Sequence, residues 1–539
     1  MMKRKVLASI ALILLFLMFI SACSVKDTSS VTETSKEAGK GTTAETSAAP
    51  KEPDKIRFFY VTSGATIPED FDLTKNPYLT KIAEAANVII TETIVPPWSD
   101  VDTKYNLMMS SGNICDVVNY TKPNFVYNDG MNGAYIDLTD FIKTSPVLSK
   151  LYAPYMEQLI AADGKIYCTR SLPVDGDVNN TFFTRWDVLQ DLGYTKIPNT
   201  MDDWIEAMRK LKEKYPDSVP YTSMDNLHWC EFVFNSYGVS NYGYNWQIYF
   251  GKIIHNFENP LYKEAIKTYQ LMLKEGLMDP EFVTNKRTDF DDKRYNRKVL
   301  VNQQNLAVCM TFAARFVNNG ILEARPVPSQ WPKIDDPRID PQALYGGPSP
   351  VGNPCLSIAS TSKVKDAGLR LIESFASPET KELAGWGIEG IDHNVVNGQK
   401  VSIIDSTSPK LMYNMIHGYN SKAVIENMFA TGIERLKAAG ADEQELNNYK
   451  ELCWSQFDKI YADNVSVSID VMRLITLEPD TASRRTEAES EALTIAVKAM
   501  RGDISLEEFD AQAAAFLKKY QFITDEYNQK LPEAKRKAG

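Results

Sequence analysis

An alternation of short apolar runs with amphipathic stretches, between residues 55 and 118, constrains this chain most. Lys55–Val61, "KIRFFYV", reads as a strand that turns at Ser63-Gly64. Leu79, Ile82, Ala83 and Ala86 then share one face of a helix, and Val88–Val95 is a second strand. Tyr105, Leu107, Met108 and Met109 predict a further helix that ends at Gly112, before a buried strand at Asp116-Val117-Val118. Such a β-α-β-α-β order builds a parallel sheet with helices on both faces, the arrangement of an α/β protein. Ligands of open parallel sheets bind beyond the carboxyl ends of the strands. Tyr60, Trp98 and Tyr120 each fall near such an end.

The pattern returns further on. Thr181–Arg185 reads as a strand and Trp186–Leu192 as a helix closed by Gly193. Thr200 caps a helix whose Trp204, Met208, Leu211 and Tyr215 are spaced by 4, 3 and 4 residues. Asn259-Pro260 opens another helix, which Gly276 ends. Leu306–Phe312 and Leu356–Ala359 read as buried strands, and Asp366–Ala376 as a helix. From about Ser421 onward the pattern is almost entirely helical. With 539 residues the chain exceeds one ordinary core, so the folded part, about 53 to 535, divides into at least two lobes.

The first fifty residues have a different character. Lys3, Arg4 and Lys5 precede the apolar run Val6–Ile20, too short for a helix of about 20 residues that spans a bilayer. It reads as a signal segment, residues 1–22. Ile20-Ser21-Ala22-Cys23 follows with small residues before the cysteine, and Ser24–Lys51 is too polar to bury a core. Residues 23–52 therefore read as a tether. Removing the three basic residues of the signal takes the formal charge from −11 to about −14, which argues against nucleic acid and anionic lipid headgroups as partners. Six further cysteines, at 115, 168, 230, 309, 355 and 453, form no C-x-x-C pair and read as buried thiols. Neither zinc spacing nor a nucleotide motif occurs, so no cofactor is expected.

Ile20-Ser21-Ala22-Cys23 resembles the lipobox of bacterial lipoproteins, which implies Cys23 as the lipid-bearing N-terminus and a place on the outer face of the cell membrane. Further stretches resemble the large, oligosaccharide-capturing subset of extracellular solute-binding proteins of ABC importers. They are Phe183-Thr184-Arg185-Trp186-Asp187-Val188-Leu189-Gln190-Asp191-Leu192-Gly193, Leu273-Lys274-Glu275-Gly276-Leu277-Met278-Asp279-Pro280-Glu281-Phe282 and Gly387-Ile388-Glu389-Gly390. Ser111-Gly112-Asn113-Ile114-Cys115-Asp116 is similar to a helix-to-strand turn usual in them. The resemblance implies a two-lobed periplasmic-binding-protein-like fold of type II, with hinge crossovers and a helical C-terminal region. The first lobe would hold residues 53–165 and 345–400, the second 175–340 and 401–535.

The same resemblance implies a monomer that closes around an oligosaccharide and delivers it to ABC permease subunits. Some members carry a calcium loop. Asp175, Asp177 and Asn179 have alternating ligand spacing, but Asn180 replaces the turn glycine and Trp186 the bidentate glutamate, so no metal is expected. A sugar presents hydroxyl edges to polar groups and C–H faces to aromatic rings. The candidates on strand-end loops are Tyr60, Trp98 and Tyr120 in the first lobe, Trp229 and Trp246 in the second, and Trp386 beside the Gly387–Gly390 motif; Asp116, Arg185 and Arg315 are the polar candidates. Trp204, Trp186 and Trp454 read as packing residues. The rival classes are a glycan hydrolase or lyase, which needs two carboxylates flanking the bond, and a ligand-binding protein that feeds a sensor kinase.

Overall fold

The computed structural model describes residues 52–61, 72–97, 100–172, 178, 181–341, 354–396, 398–403, 422–465 and 471–538. The signal segment, Cys23, the tether and the Asp175/Asp177/Asn179 run lie outside them, and so does Trp98. Among the described residues no helix is long and apolar enough to cross a membrane.

The first lobe forms around strands β1 (Asp54–Phe59), β2 (Val88–Ile94), β3 (Val117–Tyr120) and β4 (Thr169–Arg170). Helix α1 (Pro77–Ala85) links β1 to β2, and α2 (Val101–Ser111) links β2 to β3. Asn76 starts α1 because its side-chain oxygen accepts the Tyr78 and Leu79 amides, while Pro77 sits where no amide partner is needed. Gly112, at φ 68°, ends α2 in a left-handed turn that a side chain would resist. β1 pairs in parallel with both β2 and β3, as the sequence pattern predicts. Helix α3 (Pro123–Met131) follows β3.

The second lobe is built on β5 (Thr181–Arg185), with the β6–β7 hairpin (Trp246–Tyr249, Lys252–His255), β8 (Val301–Gln304) and β9 (Pro326–Ser329). β8 and β9 flank β5, both antiparallel to it, and Tyr221 adds a parallel bridge to Val301. Because side chains alternate along β5, Phe182 enters the core with Trp204 and Phe232 on one face. Phe183 meets Phe312 and Phe316 on the other. Chain then returns to the first lobe as β10 (Cys355–Ile358), inserted antiparallel between β3 and β4 to give the order β2-β1-β3-β10-β4. A small hairpin, β11 (His393–Val396) with β12 (Gln399–Ser402), follows.

Among the described residues four α-helices follow: Lys422–Ala438, Glu443–Val465, Pro479–Arg501 and Leu506–Ala538. The first two bury Ile425, Phe429, Leu446 and Phe457 against Leu306, Met310 and Val327. The other two bury Ala488, Ala492, Phe509 and Phe516 against Trp246, Phe257 and Tyr262. Each large side chain so covered contributes about 1.5–3 kcal/mol, which fastens this helical region to the second lobe.

Two local expectations need correction. Residues 306–312 hold no strand but the helices Leu306–Cys309 and Phe312–Asn318. The strand lies just upstream at Val301–Gln304, "VNQQ", whose amides conceal that all four residues are buried. A short apolar run covered on both sides has no period by which helix and strand can be told apart. The helix expected at Asn259-Pro260 begins at Tyr262, with Asn259 accepting the Leu261 amide in the turn before it. Helix 201–214 matches its prediction, including the reciprocal Thr200/Asp203 cap. The six cysteines after the tether are buried and unbridged, as expected.

Candidate functional site

β1, β2 and β3 are parallel, so their carboxyl ends gather on one side at Phe59, Ile94 and Tyr120. β4 ends on that side too, since Arg170 and Tyr120 both oppose Cys355. The next strand, β5, starts at Thr181, and after β9 the chain stays on the second lobe as far as Asp340, whose carboxylate accepts the Phe250 amide, before β10 follows. Thr181, Gln304 and Ser329 therefore mark the end of the second sheet that faces the crossings.

At the first lobe's strand ends lies a closed set of tyrosines. Tyr60 is fully buried beside Phe58, and burial lifts its hydroxyl far above the ordinary value. Tyr120, also fully buried, stacks on Tyr105 at 3.8 Å. Its hydroxyl donates to Asp102 at 2.6 Å, and Tyr105 donates to Asp129 at 2.6 Å. Burial raises the Asp129 carboxyl. Burial acts the same way on Asp102, but the bonds from Lys122 and Tyr120 outweigh it and hold that carboxyl below its usual value. Among the described residues Phe125, in the first turn of α3, offers an open aromatic ring at these strand ends, 43 % exposed, with Tyr120 edge-on and Lys122 Nζ 5.7 Å from its centre.

The second lobe presents a different surface. Tyr221 lies beside Val301 in parallel, so the segment after it runs toward the crossings, and residues 225–231 form the loop at its end. His228 and Trp229 lie on this loop with ring centres 4.6 Å apart. Tyr242 stacks near His228 at 5.9 Å, and Tyr244 follows at 6.1 Å. All four are half-buried. Asn226, Leu227, Trp229 and Tyr242 have φ of 58°, 57°, 64° and 63°, a left-handed conformation that costs each about 1–3 kcal/mol.

Surrounding structure sustains that strain. Leu227 is sunk in the core, and the Trp229 carbonyl accepts the Tyr221 hydroxyl at 3.2 Å. Gln303 Oε1 takes the Glu231 amide at 2.9 Å while its Nε2 bonds the Glu231 carboxylate. Tyr244 donates to the Asn226 carbonyl at 3.3 Å. The Trp229 indole N–H is buried without a hydrogen-bond partner among the described residues. Half-open rings, a strained loop and an unpaired donor converge here, which suits a flat, hydroxylated molecule.

The remaining candidates are committed elsewhere. Asp116 stands at the opposite end of the first sheet, accepting the Arg57 amide at 2.9 Å and the Ser362 hydroxyl at 2.6 Å, so it ties strands together. Arg185 ends β5 away from the crossings, 1 % exposed, forked onto Asp187 at 2.6–3.1 Å and lying over Phe316. Arg315 lies in the helix layer over Phe312 at 4.9 Å, and burial lowers its pKa. Trp246 points inward from β6 and donates to Thr524 at 2.9 Å. Trp386 ends helix Pro378–Trp386 and packs on His393 and Lys400. The glycine beside it is structural, because a Cβ on Gly387 would collide with Asp392, which holds the Tyr78 hydroxyl. His228, Tyr242, Tyr244 and Phe125 escaped the sequence reading. For Tyr242 and Tyr244 the signal is the aromatic stretch "NYGYNWQ", which also holds Trp246. Among the described residues no group of three metal-ligating side chains occurs.

The family model of the bacterial extracellular solute-binding protein matches residues 68–382, more than half of the chain. The chain belongs to that family. This solute-binding protein is 23 % identical over 368 residues to Lipoprotein LipO of Bacillus subtilis, covering 63 % of this chain and 68 % of LipO. It is 27 % identical over 230 residues to the fructooligosaccharide ABC transporter substrate-binding protein FusA of Streptococcus pneumoniae, covering 37 % of this chain and 41 % of FusA. Its fold matches the alginate-binding protein AlgQ2 without calcium ion, with TM-score 0.65 at 18 % identity over 89 % of this chain and 98 % of that one. FusA in complex with kestose gives 0.63 at 16 % identity over 90 % and 100 %. The two-lobed α/β architecture, the helical C-terminal region and the family of solute-binding proteins agree with what the sequence resemblance implied.

Proposed function

We propose that the protein captures an oligosaccharide between its two lobes and delivers it to the permease of an ABC importer, acting as a monomer held at the outer membrane face by a lipid on Cys23. The observation that carries this reading is the half-open His228–Trp229–Tyr242–Tyr244 surface at the end of the second sheet that faces the crossings. Rings of this kind cover sugar C–H faces at low entropic cost. Phe125 would meet the ligand from the first lobe. The likeness to FusA, a fructooligosaccharide ABC transporter substrate-binding protein, supports the ligand class. Lobes comprising 53–165 with 345–400 and 175–340 with 401–535 would rotate about the two crossings, and the closed form would dock on the permease. The work is binding, and no reaction is assigned.

A thermal-shift screen of the purified protein against kestose, alginate oligomers and Man5GlcNAc tests this. A ligand at 100 times its Kd adds about 2.7 kcal/mol of stability, a plain rise in midpoint. A saturable rise with the sugar recovered intact supports the proposal. Shortened sugar would instead reveal a glycan-cleaving enzyme, and an unmoved midpoint across a broad oligosaccharide panel would reject a carbohydrate ligand.

A further inference from the structure

The long helix Leu506–Ala538 is bonded to the second lobe along most of its length. Thr524 accepts the Trp246 indole N–H at 2.9 Å, and Asn528 both accepts the Ile253 amide at 3.0 Å and donates to its carbonyl at 2.7 Å. Lys535 donates to the Gly251 carbonyl at 3.1 Å. Its last turns nevertheless reach the first lobe, on the short helix Met156–Leu159. Gln158 Nε2 donates to the Lys537 carbonyl at 2.8 Å, and Arg536 stands 3.9 Å from Glu157.

This second contact is built unlike the first. A cavity of about 140 Å³ remains between the two sides, lined by Tyr127, Gln158 and Arg170 of the first lobe and by Ile475, Lys530 and Ala534 across from them. Gln158 Oε1 is buried without a hydrogen-bond partner among the described residues. Permanent interfaces pack to interior density and pair their buried polar atoms. Here a void, an unpaired amide oxygen, a lone hydrogen bond among the described residues and an exposed ion pair do neither, so little resists separation.

We propose that the last turns of helix 506–538 are a releasable strut between the lobes, one that holds the arrangement seen here and slips when the lobes rotate. The strut is made in one arrangement and lost or altered in the other, so it tilts the equilibrium between them without touching the ligand. This inference rests on the proposed reading that the lobes move, and it assigns to the strut part of the control over cleft affinity.

The test uses no sugar, so its result is separable from the ligand proposal. Spin labels at Lys81→Cys and Glu213→Cys, exposed positions on the two lobes, report the inter-lobe distance by pulsed dipolar spectroscopy in a Cys23→Ser background; the other native thiols are buried. Two changes are compared with the parent protein. The double substitution Glu157→Ala/Gln158→Ala removes the polar contacts, and Ala534→Trp fills the cavity. Circular dichroism verifies that each is folded. The expected result is a shifted or broadened distance distribution in both variants. Distributions superimposable on the parent's in both would overturn the strut.

Discussion

Two aromatic clusters close the strand ends of the two sheets, and they are built on opposite principles. In the first lobe Tyr105 and Tyr120 stack face to face, and their hydroxyls are matched to Asp129 and Asp102. In the second, His228, Trp229, Tyr242 and Tyr244 are half-open, two of them in left-handed backbone, and the Trp229 indole N–H has no partner among the described residues. A cluster whose rings are covered and whose donors are matched has spent its interactions on the fold. One that carries strain and an unused donor has interactions left for a ligand, and the cost must be met by the structure beneath it. Aromatic abundance alone therefore marks no site.

The largest effect that would sharpen this contrast belongs to Trp246. It is 1 % exposed and hydrogen-bonded inside the second lobe, so Trp246→Ala should cost about 3–5 kcal/mol of stability in denaturant unfolding. An unfolding midpoint close to the parent's would return Trp246 to the surface as a binding residue.

His255 beneath it gives a pH dependence. Burial pushes its imidazole down from 6.5 to about 3, so it is neutral in the fold. Between those values the unfolded chain binds the extra proton, and stability must fall as pH drops from about 6.5 toward 3, by about 1.4 kcal/mol per unit. Urea titrations from pH 7 to pH 5 should show that slope. His255→Asn, which keeps an acceptor for the Phe257 amide, should flatten it.

A middle-sized effect separates the two clusters directly. Trp229→Ala should weaken oligosaccharide binding about 30-fold while barely moving the melting midpoint, because the ring is half-open. The smallest effect is its mirror image. Tyr120→Phe deletes the hydroxyl bond to Asp102 and should cost about 1 kcal/mol of stability, with affinity unchanged.

Much of the scaffold was legible in the sequence because periodicity reports which face of an element is covered. Trp204, spaced at helical intervals from Met208 and Leu211, was read as core and is fully buried. The candidate site was less legible, for two physical reasons. Strand direction decides which end of a sheet meets the crossings: Asp116 opens its parallel strand and so stands at the far end, but nothing in the local sequence of Arg185 shows that it does too. Side-chain alternation then decides which residue of an aromatic run faces out. Within "NYGYNWQ" the pairing of Trp246 with His255 in a hairpin turns the tryptophan inward and leaves Tyr242 and Tyr244 on the loop before it. Register is set by a partner strand, so the run alone could not assign it.

The most direct test of the account is a paired affinity measurement by calorimetry, Trp229→Ala beside Tyr120→Phe, using whichever oligosaccharide raises the midpoint in the thermal screen. The account predicts a steep loss for Trp229→Ala and parent-like affinity for Tyr120→Phe. Unchanged affinity in Trp229→Ala together with a loss in Tyr120→Phe would contradict it, and would place the sugar on the first lobe's tyrosines.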